Sequence, residues 1–248
     1  MIPQPIRWPE KWGRSVLEIL FPRSCLCCGD PLLFGATLRF PICDSCAKSL
    51  TPIQTDRRCS VCSIPLISEL DRCTRCSTHH FSFSFASNFS IYEYRGGIRQ
   101  IISQFKFSNH RSLAPLIARL LQPELHRCSP APVLVPVPGS RRAVRQRGWD
   151  PMPEVARALH RDLGMRTMYL LGRRSGEPQK GLHYRERIEN IRGTIQLNRS
   201  GGKSGNVPQR VVLLDDIFTS GATADECTRV LRRAGVQEVN VLTLAIEV

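Results

Sequence analysis

Nowhere in these 248 residues does an apolar run approach the 18 or so positions that a membrane-spanning helix needs, which excludes a helical span. The opening Met1-Ile2-Pro3-Gln4-Pro5 also lacks the basic start and apolar core of a secretory leader, so the cytoplasm is the expected compartment. Lysine is scarce: it supplies five of the 35 basic residues and arginine the other 30. Acidic residues number only 21, and the formal net charge is +14. An excess built from arginine, whose planar fork matches phosphate oxygens, makes polyanions the first partners to consider. Charge alone says nothing about fold, and a basic excess can equally be a habit of the source. The length suits one medium domain with a small module, or two small domains.

Cysteine is not scarce. Of 11 cysteines, eight form four Cys-x-x-Cys pairs: Cys25/Cys28, Cys43/Cys46, Cys59/Cys62 and Cys73/Cys76. That spacing turns two sulfurs toward one ion, and two such knuckles complete a tetrahedral zinc site. A reducing cytosol argues against disulfides. The gaps between knuckles suit two successive ribbons with two structural zinc ions, interleaved pairing being the alternative. Cys27 competes with Cys28 as a ligand, and His79 and His80 follow the last knuckle as linker residues. Residues 23–80 are too few, and too poor in apolar runs, to build a full core, so metal is expected to do much of the folding there. Four thiolates leave no open position, which makes the role structural. Cys227 reads as a small core residue in a helix, and Cys128 stands alone.

Ahead of this module, residues 1–22 carry a possible short amphipathic helix from Pro9 to Phe21, with Trp12, Val16, Leu17 and Leu20 on one side. It is long enough to dock on protein and too short to hold a lipid surface alone.

The remaining residues, 81–248, read as an α/β domain. Near its end, Val211-Val212-Leu213-Leu214 runs into Asp215-Asp216 and then Thr219-Ser220-Gly221-Ala222-Thr223. The apolar run predicts a buried central strand, with the two carboxylates at its carboxyl end, where open α/β sheets place ligands. The small-residue turn enters a helix expected over Ala224–Ala234, whose amino end attracts phosphate through unpaired amides and the helix dipole. Carboxylates accept hydrogen bonds from ribose hydroxyls, whereas the turn donates and suits a 5′-phosphate. The plain alternative is an ordinary strand, turn and helix in which Asp216 or Thr219 caps.

Upstream, Phe81, Phe83 and Phe85 alternate with serines and predict strand material, its aromatic row packing in a core rather than stacking bases. Ile98, Ile101, Ile102 and Phe105 carry helical spacing toward Lys106, and a second helix is expected over Leu113–Leu121. Pro123–Pro132 reads as a linker and Val133–Pro138 as the first central strand. Arg141, Arg142, Arg145, Arg147 and Gly148 follow where a pyrophosphate loop would lie, or form a solvated basic face leading into a helix over Glu154–Leu163. Leu171–Arg192 reads as a mobile flap bearing Gln179, Gly181, Leu182, Arg185, Arg187 and Asn190. Arg199–Pro208 reads as a hairpin tip, and Val239–Ile246 as a last buried strand.

The acidic doublet and its turn resemble the 5-phosphoribosyl-1-pyrophosphate (PRPP) signature of type I phosphoribosyltransferases. Together with the knuckles, Tyr94-Arg95-Gly96, Phe105-Lys106-Phe107, Val135-Pro136-Val137-Pro138, Arg147-Gly148-Trp149 and Gln179-Lys180-Gly181-Leu182, they resemble the ComF/GntX (ComFC-like) family. The resemblance implies a double zinc ribbon before a type I phosphoribosyltransferase-like parallel sheet with helices on both faces. It implies PRPP with Mg²⁺ as ligand, Asp215 and Asp216 on the ribose, and arginines with Mg²⁺ on the leaving pyrophosphate. It also implies a part in DNA uptake and the handling of incoming single strands. Trp149, Asp150 and Pro151 stand where that family usually has Phe-Asn-Gln. Three roles remain open: an active transferase, a PRPP-responsive binder of single-stranded DNA, and a zinc-ribbon adaptor for a DNA-uptake helicase or pore protein.

Overall fold

Alternation along Val211–Leu214 sends successive side chains into two different apolar cores, which is why this segment becomes an interior strand. The computed structural model describes residues 24–32, 40–55, 57–67, 70–77, 83–127, 132–174, 191–198 and 207–248. The expected helix over Pro9–Phe21, His79, His80, Phe81, Cys128, the flap residues from Gln179 to Asn190, and residues 199–206 lie outside that set.

Strands β1 (Asn88–Glu93), β2 (Val133–Pro136), β5 (Arg210–Phe218) and β6 (Glu238–Ile246) form a parallel sheet in the order β1-β6-β5-β2. The register places Leu213 beside both Val135 and Val241. A separate antiparallel pair joins β3 (Leu171–Arg173), at the start of the expected flap, to β4 (Ile195–Leu197), just beyond its end. On one face Val212, Leu214, Leu242 and Leu244 meet α3 (Gly96–Phe107), α4 (Ala114–Arg127) and α6 (Pro151–Leu163). On the other, Val211, Leu213, Val239 and Val241 meet α7 (Ala222–Arg233), where Cys227 is fully buried as expected. The α/β class, the parallel sheet and the helices on both faces agree with the sequence reading.

Several local expectations are corrected. β2 closes one end of the sheet instead of lying at its centre, yet it stays buried because residues 166–168 cover its outer side. Leu134 N donates to the Arg166 carbonyl and Met168 N to the Leu134 carbonyl. Phe83 and Phe85 precede β1 and stack at 4.6 Å between ring centroids. Pro123 lies inside α4: its missing N–H frees a carbonyl on the exposed side, at Arg119, while Leu121 and Leu125 keep the buried stripe continuous. The arginine cluster is a short helix, α5 (Arg141–Arg147), not a loop. Ser140 Oγ caps it by accepting from Ala143 N, and Gly148, at φ +79°, ends it.

The ribbons straddle the sheet. Cys25, Ile42 and neighbouring residues of the first ribbon join the core of α3, α4 and α6, whereas Cys59, Cys62 and Cys76 of the second join the core of α7. Metal is therefore not the sole support of either ribbon. The second also shields the edge of β1: Asn88 N donates to the Val61 carbonyl, Ile53 N to the Ile91 carbonyl, and Arg58 Nη1 to the Ser90 carbonyl at 2.6 Å.

Candidate binding site and metal centres

The knuckles converge in sequential order. The sulfurs of Cys25, Cys28, Cys43 and Cys46 lie within 4.8 Å of one another, as do those of Cys59, Cys62, Cys73 and Cys76. Zinc–sulfur bonds of about 2.3 Å in a tetrahedron separate sulfurs by roughly 3.8 Å. The Cys28–Cys43 and Cys62–Cys73 sulfurs are 3.8 Å and 3.7 Å apart, so the donor set fits zinc. Backbone amides of Cys27 and Cys43 donate to Cys25 Sγ at 3.4 Å and 3.3 Å. Burial pushes the Cys25 thiol up, but the surrounding amides of Cys28, Cys43 and Cys27 outweigh it and bring the thiol to about 6. Amide donors of this kind favour the charged sulfur that a metal ligand requires. Cys27 stands outside the cluster, packed against the core, and burial pushes its thiol up to about 11.

At the carboxyl end of the sheet, β5 carries Asp215 and Asp216 among its last four residues, which end at Phe218. Lys106, one residue from the end of α3, places Nζ 2.7 Å from Asp216 Oδ2, with side chains only 22% and 13% exposed. Burial works against the lysine's charge, but Asp216, assisted by Asp215 and Tyr94, holds its pKa above the ordinary value. Asp215 takes the Asp216 amide on Oδ1 at 2.9 Å. Its burial, then the neighbouring Asp216 charge, push its carboxyl up to about 7, against the pull of Lys106 and Arg173.

Arg147 and Gly148 sit beside this pair, but the guanidinium is engaged. Arg147 Nε donates to the Lys106 carbonyl, and the group lies 5.7 Å from the Trp149 ring centre. Trp149 in turn packs edge-on against Phe105 at 4.9 Å and donates Nε1 to Asn109 Oδ1. The two motifs, 105–107 and 147–149, therefore form one joint that fixes Lys106. Arg141, Arg142 and Arg145 point to solvent.

Asp150, where the resembled family has a neutral amide, accepts from Gly139 N at 2.9 Å through Oδ2. Its Oδ1 is buried with no hydrogen-bond partner among the described residues, and burial raises its pKa. A side chain at Gly139 would meet that oxygen at 2.8 Å, so the glycine is what admits the carboxylate. Arg173 of β3 is close enough to Asp215 and Asp150 to feel the charge of both, although burial pulls its own pKa down. Sequence reasoning gave no role to Lys106, Asp150 or Arg173. The available signals were a lysine closing an apolar helical stripe and an acidic residue in place of an amide.

The turn after β5 is tightly held. Gly221, at φ +77°, precedes α7, and an added Cβ would lie 2.8 Å from both Phe218 Cζ and Phe83 Cε1. Ser220 is buried and its hydroxyl accepts from Ala222 N at 3.3 Å, which stiffens the turn. Thr219 and Thr223 are partly exposed, and the amides of Thr223 and Ala224 have no acceptor within the helix.

A family model described as a double zinc ribbon domain matches residues 16–77. Competence protein F of Haemophilus influenzae is 26% identical over 212 residues, covering 82% of this chain and 90% of that protein. Competence protein ComFC of Streptococcus pneumoniae is 24% identical over 229 residues, covering 89% and 99%. This chain is similar to those competence proteins over most of its length. The DNA utilization protein YhgH of Escherichia coli K12 is 26% identical over 235 residues, covering 90% of this chain and 96% of its own length. The resemblance to ComF proteins read from the motifs therefore holds over most of the chain. Among solved structures, the allosteric regulatory enzyme of purine biosynthesis overlaps 54% of this chain at 19% identity, with a TM-score of 0.36. Glutamine PRPP amidotransferase from B. subtilis, complexed with ADP and GMP, overlaps 54% at 20% identity, with a TM-score of 0.34. The matches take in 25% and 26% of those two chains. Among the described residues no helix is long and apolar enough to cross a membrane.

Proposed function

We propose that this protein is a PRPP-binding, phosphoribosyltransferase-like member of the ComF family that acts in the cytoplasm in DNA uptake and the handling of incoming single strands. In this reading residues 1–22 are a tail, 23–80 the zinc ribbons and 81–248 the ligand-binding part. The observation that carries it is the adjacency of Asp215 and Asp216 to the glycine turn that opens α7, all at the carboxyl end of an interior parallel strand. Asp215 and Asp216 accept from the ribose hydroxyls, and Thr219, Ser220, Gly221, Ala222 and Thr223 enclose the 5′-phosphate. Arg147, Gly148 and Lys106 would flank the pyrophosphate, whose charge a Mg²⁺ ion bound with it would help to neutralise. The eight cysteines hold two structural zinc ions.

Calorimetry of the zinc-loaded chain with PRPP and Mg²⁺ tests the reading. Saturable heat that disappears in Asp215→Asn is expected, and no heat or thermal shift with folded protein would remove it. Release of pyrophosphate in a screen of acceptors separates a transferase from a binder.

A second reading rests on a separate observation. With Arg147 turned inward, Arg141, Arg142 and Arg145 present a solvent-facing basic surface suited to the backbone of single-stranded DNA. Docking on a DNA-uptake helicase or pore protein through the ribbons is the remaining alternative. Because both ribbons share cores with the sheet, capture by the full chain with and without chelator is the suitable test.

A further inference from the structure

The second ribbon reaches the candidate phosphate turn directly. Arg75 lies on α2 (Thr74–Ser77), between the metal-site cysteines Cys73 and Cys76, and its Nη1 donates to the Thr219 carbonyl at 3.2 Å across 144 residues of sequence. We infer that Arg75 is a positioning residue for the turn 219–223, so that metal in the second ribbon sets the affinity of the phosphate site. The inference rests on the function proposed above and assigns that site its control.

The physical basis is the planarity of the peptide group. In a trans peptide the carbonyl and the following N–H point in opposite directions, so anchoring the Thr219 carbonyl toward the ribbon aims the Ser220 N–H away from it. The far side of the turn is clamped as well. Phe83 and Phe218 close on Gly221, and Phe85, edge-on to Phe218 at 6.1 Å, shares a core with Cys59, Cys62 and Cys76. Ser84 N donates to Asp225 Oδ1 at 2.6 Å, and Arg229 Nη2 holds the other oxygen of that carboxylate at 2.6 Å, which fixes the first turn of α7 to the same segment. Ribbon, aromatic wedge and helix start form one unit. Cys73 and Cys76 set the place of the backbone that carries Arg75, and without metal four thiols no longer hold it there. The first ribbon packs on the opposite face of the sheet and has no part in this unit.

Two readouts on the full zinc-loaded chain test this. Hydrogen exchange of the Ser220–Thr223 amides reports turn order without ligand, and calorimetry with PRPP and Mg²⁺ reports affinity. Arg75→Ala is expected to speed exchange in this turn alone and to weaken PRPP about tenfold, the scale of one hydrogen bond from a charged donor. Arg75→Lys is expected to restore part of both, and zinc content to stay at the wild-type level. Arg72→Ala removes an equal charge from an exposed neighbour and is expected to change neither. Unchanged exchange in Arg75→Ala, or an equal effect from Arg72→Ala, overturns the inference. Should wild-type protein bind no PRPP, the proposed function falls, and the exchange result alone decides the role of Arg75.

Discussion

Lys106 and Asp216 form an ion pair of 2.7 Å between the end of α3 and β5, and the Arg147 guanidinium donates to the backbone carbonyl of that same lysine. A cation held this firmly balances the second of two adjacent carboxylates and keeps the pair tolerable at the edge of the core. It also means that a ribose approaching Asp216 meets a lysine already in place. Replacing Lys106 by Met should destabilise the protein by about 3 kcal/mol, because a largely buried carboxylate is left without its partner. Adding Asp216→Asn should recover much of that loss. Urea midpoints of the two single variants and the double variant measure the coupling, and simple additivity would contradict it.

The raised Asp215 carboxyl gives a pH signature. Its folded value of about 7 lies above the ordinary 3.8, so between these values the folded state binds the extra proton. Stability from this group is full below the lower value and is lost as pH rises toward and through the upper one. Asp215→Asn should therefore flatten the decline in urea midpoint between pH 5 and pH 8. An equally steep decline in the variant would assign it elsewhere.

The segments legible in sequence were those whose signal is local. Four cysteine knuckles, the Val211–Leu214 run and the Ile98–Phe105 stripe each state their own structure through spacing. Pairings across long separations were not legible: Lys106 with Asp216, Arg147 with the Lys106 carbonyl, and Arg75 with the Thr219 carbonyl depend on how the sheet brings its ends together. For the arginine cluster the solvated basic face is the reading that holds for Arg141, Arg142 and Arg145, and the loop gives way to a helix because Ser140 before it and Gly148 after it are ordinary helix start and stop residues. At Pro123 the residue-level rule gave way to the buried stripe that continues through Leu125.

Loss of one buried sulfur should release the metal of its ribbon. Cys62 is fully buried and sits in the second cluster. In Cys62→Ser, bound zinc measured by atomic absorption should fall from two equivalents to one. The lost metal energy compares with the ~5–15 kcal/mol stability of a typical domain, so this variant should also melt far below wild type. Two equivalents retained in the variant would refute the ligand set.

Two left-handed glycines separate backbone strain from crowding. Gly148 has φ +79° with nothing within 4 Å of an added Cβ, so Gly148→Ala should cost about 1 kcal/mol from backbone alone. Gly221 has nearly the same φ, +77°, but an added Cβ would press on Phe218 and Phe83 at 2.8 Å. Gly221→Ala should therefore cost roughly 1–3 kcal/mol more than Gly148→Ala and abolish PRPP heat. Equal destabilisation of the two, read from urea midpoints, would mean that the aromatic wedge yields easily.

The exposed face of α5 decides whether DNA is bound through this surface. Its three solvent-facing arginines are unlike Arg147, which is built into the joint with Lys106 and Trp149, so they can be neutralised without disturbing the carboxylate pair. Binding of a fluorescent oligothymidylate should weaken with salt along a log–log slope of about −0.7 for each phosphate neutralised. Arg141→Gln, Arg142→Gln and Arg145→Gln together should make that slope shallower by about 2 if all three contact phosphate. PRPP heat should be unchanged in the triple variant, because none of the three touches the Asp215 and Asp216 site. An unaltered slope would move the nucleic-acid surface to another part of the chain, and binding indifferent to salt would argue against a phosphate-based interface altogether.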